Sequence, residues 1–204
     1  MNIDCFVLIG GRSSRLGRDK ATVEIGGMPL ALRAVRTIQN ALEPERVTFV
    51  ARNASQFDVK TLFGDTPVIF DLIEDRGPLG GLHTALSQAR SPWIYVLACD
   101  YPFVSADLVN LLGCLISDEF GAIAPEQPDG RLQPLCAFYK IETARPVVDK
   151  IVNQQRVPPP LHEIVSELSP RIVKYKEYSH LPRSNDLFIN VNTPDNLGNV
   201  RRMG

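Results

Sequence analysis

Five short runs, CFVLI (5–9), VTFVA (47–51), PVIF (67–70), WIYVLA (93–98) and AIA (122–124), are almost uninterrupted by polar side chains. A strand with one wet face would alternate apolar and polar residues, so near-continuous runs predict strands covered on both sides, as in a parallel sheet. Helical spacing fills the gaps. Leu30, Ala34, Val35 and Ile38 recur behind Pro29, and Leu108, Leu111, Leu112, Leu115 and Ile116 recur behind Ser105, a residue suited to cap a helix. Strand and helix in alternation predict an α/β, three-layer, Rossmann-like fold with a mostly parallel sheet, right-handed crossovers and ligands at the carboxyl ends of the strands. The later part is less regular. LCAFYK (135–140), RIVKY (171–175) and LFINV (187–191) read as strands, 144–154 and the stretch from Pro194 as helices, and this antiparallel C-terminal part is expected to cover the cleft. Pro158, Pro159 and Pro160 mark a surface loop.

Residues 1–204 are expected to form a single domain, because 44% hydrophobic composition over this length supports one core without disulfides. A formal net charge of −1 provides no global field toward nucleic acid or an anionic membrane, so any affinity for phosphate must come from a local cluster. The first residues, MNIDCFVLIGG, run into glycine and arginine too soon for a signal peptide or a spanning helix, and a cytoplasmic location is expected. Cys5, Cys99, Cys114 and Cys136 form no CxxC pair and read as reduced, buried thiols. His83, His162 and His180 are too dispersed to suggest a metal cluster or a triad.

The local cluster follows the first strand without a break, in LIGGRSSRLGRDK (8–20). Gly10 and Gly11 allow a tight turn and a close approach of backbone N–H groups to an anion. Arg12, Arg15, Arg18 and Lys20 add four cations within nine residues, enough to offset much of a triphosphate's charge. Neither GxGxxG nor GxxxxGK[ST] is present, so this is a phosphate loop of another kind. A solvated hairpin with ordinary surface arginines is the bland alternative, but it leaves the paired glycines after a buried strand unexplained.

Carboxylates end two other strands. Asp100 closes WIYVLACD before Pro102, and a carboxylate there suits Mg²⁺, which takes only one or two protein carboxylates and completes its octahedron with water and phosphate. Asp71 follows PVIF in the same way. Gly77, Gly80 and Gly81 leave room beside a base or ribose, or make a plain turn. Asp75 reads as exposed charge, and Asn53 as either a nucleotide contact or a turn residue.

GGRSSRLGRDK, with the D-x-P element at Asp100 and D-x-x-x-D-R-G-P-L-G-G-L at 71–82, resembles the signature of the molybdenum cofactor guanylyltransferases, within the Rossmann-like nucleotidyltransferases. The resemblance implies that Leu8, Ile9, Gly10, Gly11, Lys20, Asn53, Asp71 and Asp100 bind GTP, with Lys20 on its phosphates and Mg²⁺ on Asp100. L-x-GG at the start of the loop favours guanine over the LAAG of related cytidylyl and sugar-phosphate enzymes. QPLCAFY (133–139) and INVNTPDNL (189–197) resemble the pterin side of the family's cleft, where Asn190 and Asn192 would meet the second substrate. Ile9, Leu16 and Gln133 stand where the family usually has alanine, methionine and histidine, and between 141 and 186 the resemblance is weak.

The implied reaction is attack by the terminal phosphate of a molybdenum-pterin cofactor on the α-phosphorus of GTP, with pyrophosphate released and a guanine dinucleotide formed. Arg15, Lys20 and Asp100 would be the catalytic groups. A phosphate monoester has a second pKa of about 6, so the nucleophile needs no protein base at neutral pH. Expected partners are GTP, the molybdenum-pterin cofactor and the cofactor-delivering or apoenzyme proteins, with no nucleic acid and no membrane. A cytidylyl- or sugar-phosphate nucleotidyltransferase of the same fold and a non-catalytic GTP-binding module that delivers the cofactor are the competing readings.

Overall fold

The computed structural model describes residues 2–10, 19–44, 46–54, 64–154, 157–192 and 194–203. Seven strands make one sheet: β1 (Ile3–Leu8), β4 (Val47–Ala51), β5 (Val68–Phe70), β6 (Trp93–Ala98), β7 (Ala122–Pro125), β8 (Cys136–Lys140) and β9 (Arg171–Val173). Their spatial order is β5-β4-β1-β6-β8-β7-β9. β5, β4, β1 and β6 run parallel, β8 is antiparallel to both β6 and β7, and β9 returns parallel to β7. The expected antiparallel part is therefore one reversed strand inside an otherwise co-directional sheet.

Helices cover both faces, as continuous apolar strands require. Alternate residues of β1 separate the two cores, with Cys5 and Val7 on one side and Phe6 and Leu8 on the other; β6 does the same with Tyr95 and Leu97 against Ile94 and Val96. On the first face lie α1 (Leu30–Leu42), which buries Ala31, Ala34, Val35 and Ile38, and α3 (Ala106–Gly113), which buries Leu108, Val109 and Leu112. Ser105 caps α3 by accepting from the N–H of Leu108 at 3.2 Å. Leu115 and Ile116 follow the end of α3 in tighter turns whose N–H groups reach Leu112 and Gly113. On the second face lie α2 (Pro78–Gln88), α4 (Ile141–Val152) and α5 (Leu161–Ser166).

A hairpin and a 3₁₀ turn escaped the sequence reading, as did the short helix α5. β2 (Glu24–Ile25) and β3 (Met28–Pro29) form a hairpin through Gly26 and Gly27, whose φ values of 59° and 74° suit the left-handed two-residue turn that matches strand twist. A 3₁₀ turn at Lys20–Thr22 precedes it, capped by the Asp19 carboxylate, which accepts from Ala21 N–H at 3.0 Å.

Three expectations are corrected. RIVKY stops being strand at Val173; Lys174 becomes the N-cap of α6 (Tyr175–Tyr178), its N–H held by the Glu177 carboxylate at 2.9 Å. LFINV is not a strand. It passes over the carboxyl end of the sheet in turns, with the N–H of Asp186 and Ile189 bonded to Arg183 and Asp186, and spends its apolar residues on bridging two cores. Leu187 and Phe188 enter the first face, while Val191 joins Val23, Ile25, Leu30, Leu197 and Val200 in a third cluster. The last two of these come from α7 (Pro194–Met203). Third, Cys5, Cys99 and Cys136 are buried thiols, whereas Cys114 is exposed at the C-cap of α3.

Glycines at the edges of this packing supply a test. A Cβ on Gly121 would lie 2.3 Å from the Leu168 carbonyl oxygen, whereas one on Gly113 would make ordinary 3.5 Å contacts with Leu42 and Phe138. Gly121→Ala is expected to lose about 1–3 kcal/mol by overpacking, lowering Tm by roughly 5 °C at the ~2–4 °C per kcal/mol of a domain this size. Gly113→Ala is expected to leave Tm unchanged or slightly raised, and thermal melts of the pair compare the two.

Candidate functional site

The chain passes from β1 outward to β4 and β5 on one side and then crosses back from β5 to β6 on the other side of β1, which opens a crevice at the carboxyl ends of these strands, where the order reverses. A cavity of about 280 Å³ occupies it. Its floor is the end of β1, where the Leu8 carbonyl accepts from Cys99 N–H at 3.1 Å and Ile9 N–H donates to Val50 at 2.9 Å. Gly10 follows with its Cα against β4: a Cβ there would sit 2.7 Å from the Arg52 nitrogen, so no larger residue fits without moving backbone. α2 presses equally close, since a Cβ on Gly81 would lie 3.1 Å from the Leu8 side chain. Gly77 holds φ 54° ahead of Pro78 at the helix's first turn, and both line the cavity with the amino end of α2 toward it.

Charge meets over this floor. Lys20, at the start of the 3₁₀ turn, donates from Nζ to Asp100 Oδ2 at 3.1 Å and also to Asn192 Oδ1. Their side chains are 17% and 22% exposed for Lys20 and Asp100, so the pair is shielded yet open to a ligand. Asp100 is held on its backbone as well, its carbonyl accepting from Val191 N–H at 3.1 Å. On the opposite wall stands Asp71, tied at its N–H to the Ala51 carbonyl at 2.9 Å. Among the described residues no hydrogen-bond donor reaches its enclosed Oδ1. Burial pushes its pKa up to about 6, with the Arg52 charge acting the other way. An enclosed acceptor of this kind can take a hydrogen bond from a ligand's N–H group or from water.

Cys99 lies in the wall between them, and burial, reinforced by the Asp100 charge, raises its thiol far above the ordinary range, which leaves it a poor nucleophile. Among the described residues no group of three or more His, Cys, Asp or Glu gathers for a metal ion. One carboxylate with an amide oxygen nearby is a donor set for a hard cation that takes the rest of its ligands from phosphate and water, and Asp100 fits that requirement.

A second cavity of about 360 Å³ begins one residue further on, at Tyr101. Its lining is rich in amides, including Gln133, Asn185 and Asn190, with Phe188 as an aromatic wall. Gln133 is fixed in place, accepting from the Tyr101 hydroxyl at 2.9 Å and donating to the Arg131 carbonyl at 3.2 Å.

Leu8, Ile9, Gly10, Lys20, Asp71 and Asp100 thus come together around one cavity. Gly11 and Arg15, with Arg12 and Arg18, lie outside the described residues, as does Thr193. Asn53 sits half-buried two residues beyond β4 and is not among the cavity's described lining. The two asparagines expected on one face of a strand part company: Asn190 lines the amide-rich cavity, Asn192 the first. Asp75 is exposed, with φ 59°. Sequence reasoning missed the direct Lys20–Asp100 pairing and the role of Asn192 in it; these residues are 80 and 172 positions apart in sequence, and no local pattern joins them.

A family model described as a MobA-like NTP transferase domain matches residues 5–165. A Clostridium perfringens strain SM101 protein named probable molybdenum cofactor guanylyltransferase is 31% identical over 145 residues, 71% of this chain and 68% of that protein. A Vibrio atlanticus protein named molybdenum cofactor guanylyltransferase is 28% identical over 193 residues, 94% and 91% of the two chains. Among solved structures, molybdopterin-guanine dinucleotide biosynthesis protein A from Archaeoglobus fulgidus superposes with a TM-score of 0.79 at 23% identity over 98% of each chain. The same fold recurs in 4-diphosphocytidyl-2C-methyl-D-erythritol synthase from Anaerococcus prevotii, with a TM-score of 0.71 at 11% identity over 99% and 95% of the chains.

The raised pKa of Asp71 makes a testable statement about stability. Because the folded protein binds this proton more tightly than the unfolded chain, whose value is near 3.8, the fold gains from this group as pH falls through about 6. Asp71→Asn mimics the protonated form, so its Tm is expected to exceed the wild-type value well above pH 6. The gap should narrow below pH 6 and close near about pH 4; melts across that range measure it.

Proposed function

The chain belongs to the MobA-like NTP transferase family, and from that premise we propose that it transfers GMP from GTP to the terminal phosphate of a molybdenum-pterin cofactor. The observation that carries this reading is the crevice itself: a lysine and a carboxylate 3.1 Å apart on one side, and on the other a carboxylate oxygen that no described residue bonds. Those features suit the two ends of a nucleoside triphosphate.

Asp71 selects the base in this proposal. An ionised carboxylate only accepts hydrogen bonds, and guanine offers it two adjacent donors, N1–H and the exocyclic amine. Adenine and cytosine present a donor beside an acceptor at the corresponding edge, which would leave one carboxylate oxygen against a lone pair. The floor at Leu8, Ile9 and Gly10 brings backbone close to the nucleotide, and the amino end of α2 faces it with a favourable dipole.

Lys20 serves the phosphates. A terminal phosphate oxygen of the pterin substrate forms the new bond to the α-phosphorus of GTP, the α–β phosphoanhydride bond breaks, and pyrophosphate leaves with that bond's electron pair. Lys20 neutralises the charge that gathers on the leaving group, and Arg15 is proposed to share that task. Mg²⁺ held by Asp100, when bound, supplies Lewis-acid neutralisation of the phosphate oxygens. The attacking phosphate is already mostly ionised, and the site is arranged for positioning and charge neutralisation rather than proton transfer. Gln133, Asn185 and Asn190 offer paired donors and acceptors to the pterin ring in the neighbouring cavity.

Among the described residues no helix is long and apolar enough to cross a membrane. The assay is pyrophosphate release from purified protein with Mg²⁺, a molybdenum-pterin donor and each of GTP, CTP, ATP and UTP. GTP is expected to support turnover at least about tenfold better than the others, a preference that Asp71→Asn should reduce. Asp100→Ala is expected to lower the rate by on the order of 10²-fold or more. Equal turnover with CTP would reassign the base, and normal turnover by Asp100→Ala would remove the metal assignment.

A further inference from the structure

The family match ends at residue 165, yet the crevice does not. Asn192, from the segment that crosses the end of the sheet, accepts through Oδ1 from the same Lys20 Nζ that bonds Asp100. We infer that Asn192 is a positioning residue for Lys20, belonging to the triphosphate half of the site rather than to the recognition of the second substrate.

Both ends of this contact grow from one small core. Val191 is buried beside Val23, three residues after Lys20, in the cluster completed by Ile25, Leu30, Leu197 and Val200. Val191 N–H also donates to the Asp100 carbonyl at 3.1 Å. Asn192 is therefore fixed by packing before and after it and by the backbone of the residue whose carboxylate shares its lysine. Asn190, two residues earlier, lines the other cavity, so the segment divides its asparagines between two tasks.

The chemistry explains why an amide suits the position. Lysine carries a point charge on a flexible four-carbon stem, and three N–H donors that need acceptors. A divalent ion held by Asp100 would compete with the ammonium for that carboxylate. A neutral oxygen at 192 still orients the group but cancels none of its charge, which stays directed at the phosphates. A carboxylate there would quench that charge; an apolar side chain would let the stem swing.

This inference rests on the proposed nucleotide site but not on the identity of the second substrate, and the test keeps them apart. Calorimetric binding of GTP in the presence of Mg²⁺ is measured for the wild type, Lys20→Met, Asn192→Leu and the double variant. Asn192→Ala runs alongside in case the leucine disturbs folding, with thermal melts to check each protein. Asn192→Leu is expected to weaken binding about tenfold, the loss of one hydrogen bond to a charged group, and Lys20→Met at least as much. The double variant should bind no more weakly than Lys20→Met alone, since Asn192 acts through the lysine. Losses that multiply would overturn the inference, because an effect through the fold alone would be equally large without the lysine. Unchanged GTP affinity in Asn192→Leu, with a raised KM for the pterin donor, would overturn it too and return Asn192 to the second substrate. A wild type that binds GTP but releases no pyrophosphate would defeat the proposed reaction while leaving the binding cycle decisive.

Discussion

The pairing of Lys20 with Asp100 is the constraint around which the molecule is arranged. A lone ammonium or a lone carboxylate, each about four-fifths shielded, would carry a desolvation penalty that the crevice alone does not relieve. Together their opposite charges offset one another inside the cleft. Contact at 3.1 Å between residues 80 apart needs three backbone placements at once: β1 beside β6, the 3₁₀ turn anchored by Asp19, and the segment at 186–192 bonded to Asp100. The parallel β1–β6 register, running from Ile3 opposite Trp93 to Leu8 opposite Ala98, fixes the first of these. It brings Leu8, which Ile9 and Gly10 follow, level with Ala98, two residues before Asp100.

The other two placements depend on the third hydrophobic cluster, which is small and lies off the main sheet. It joins the β2–β3 hairpin, the start of α1 and the C-terminal helix through Val23, Ile25, Leu30, Val191, Leu197 and Val200. Arg183 stacking over Phe103 at 4.3 Å and the Arg201 guanidinium donating to the Glu24 carbonyl at 3.4 Å fasten the same region from outside. None of these contacts touches the crevice, but each limits how far Asn192 and Lys20 can move relative to Asp100. Loosening this cluster would be felt at the charged pair before it was felt in the two cores of the sheet.

What could be read from the sequence follows from how local the cause is. The strands at 47–51 and 93–98 were legible to the residue, because continuous apolar runs have few other uses, and Ser105 announced α3 by cap chemistry. That the carboxylates at 71 and 100 would line the crevice was legible through their place just beyond strands, which in a parallel sheet means its open end. LFINV misled because its composition suits a strand equally well; only the tertiary need to bridge two cores decides against it, and that need is invisible in five residues. The same holds for Asn192. An asparagine after an apolar pair carries no local mark of a lysine 172 positions away. Resemblance supplied the segment as part of the cleft, and geometry alone assigned its two asparagines to different cavities.

The groups that surround the crevice bear on the proposal that its chemistry is placement and not covalent catalysis. Cys99 is the nucleophile nearest the charged pair, and burial together with the Asp100 charge keeps it protonated. Tyr101, next along the chain, is likewise pushed above its usual range by burial, and its hydroxyl is committed to Gln133. Asp71 Oδ1, for which no described residue provides a donor, lies on the far wall, where a ligand's N–H groups would bond it. Under the proposed reading one nucleoside triphosphate would meet both walls: its base would give donors to Asp71, and its phosphates would draw Lys20 from the ion pair, so recognition of the base and placement of the lysine would be coupled through a single ligand.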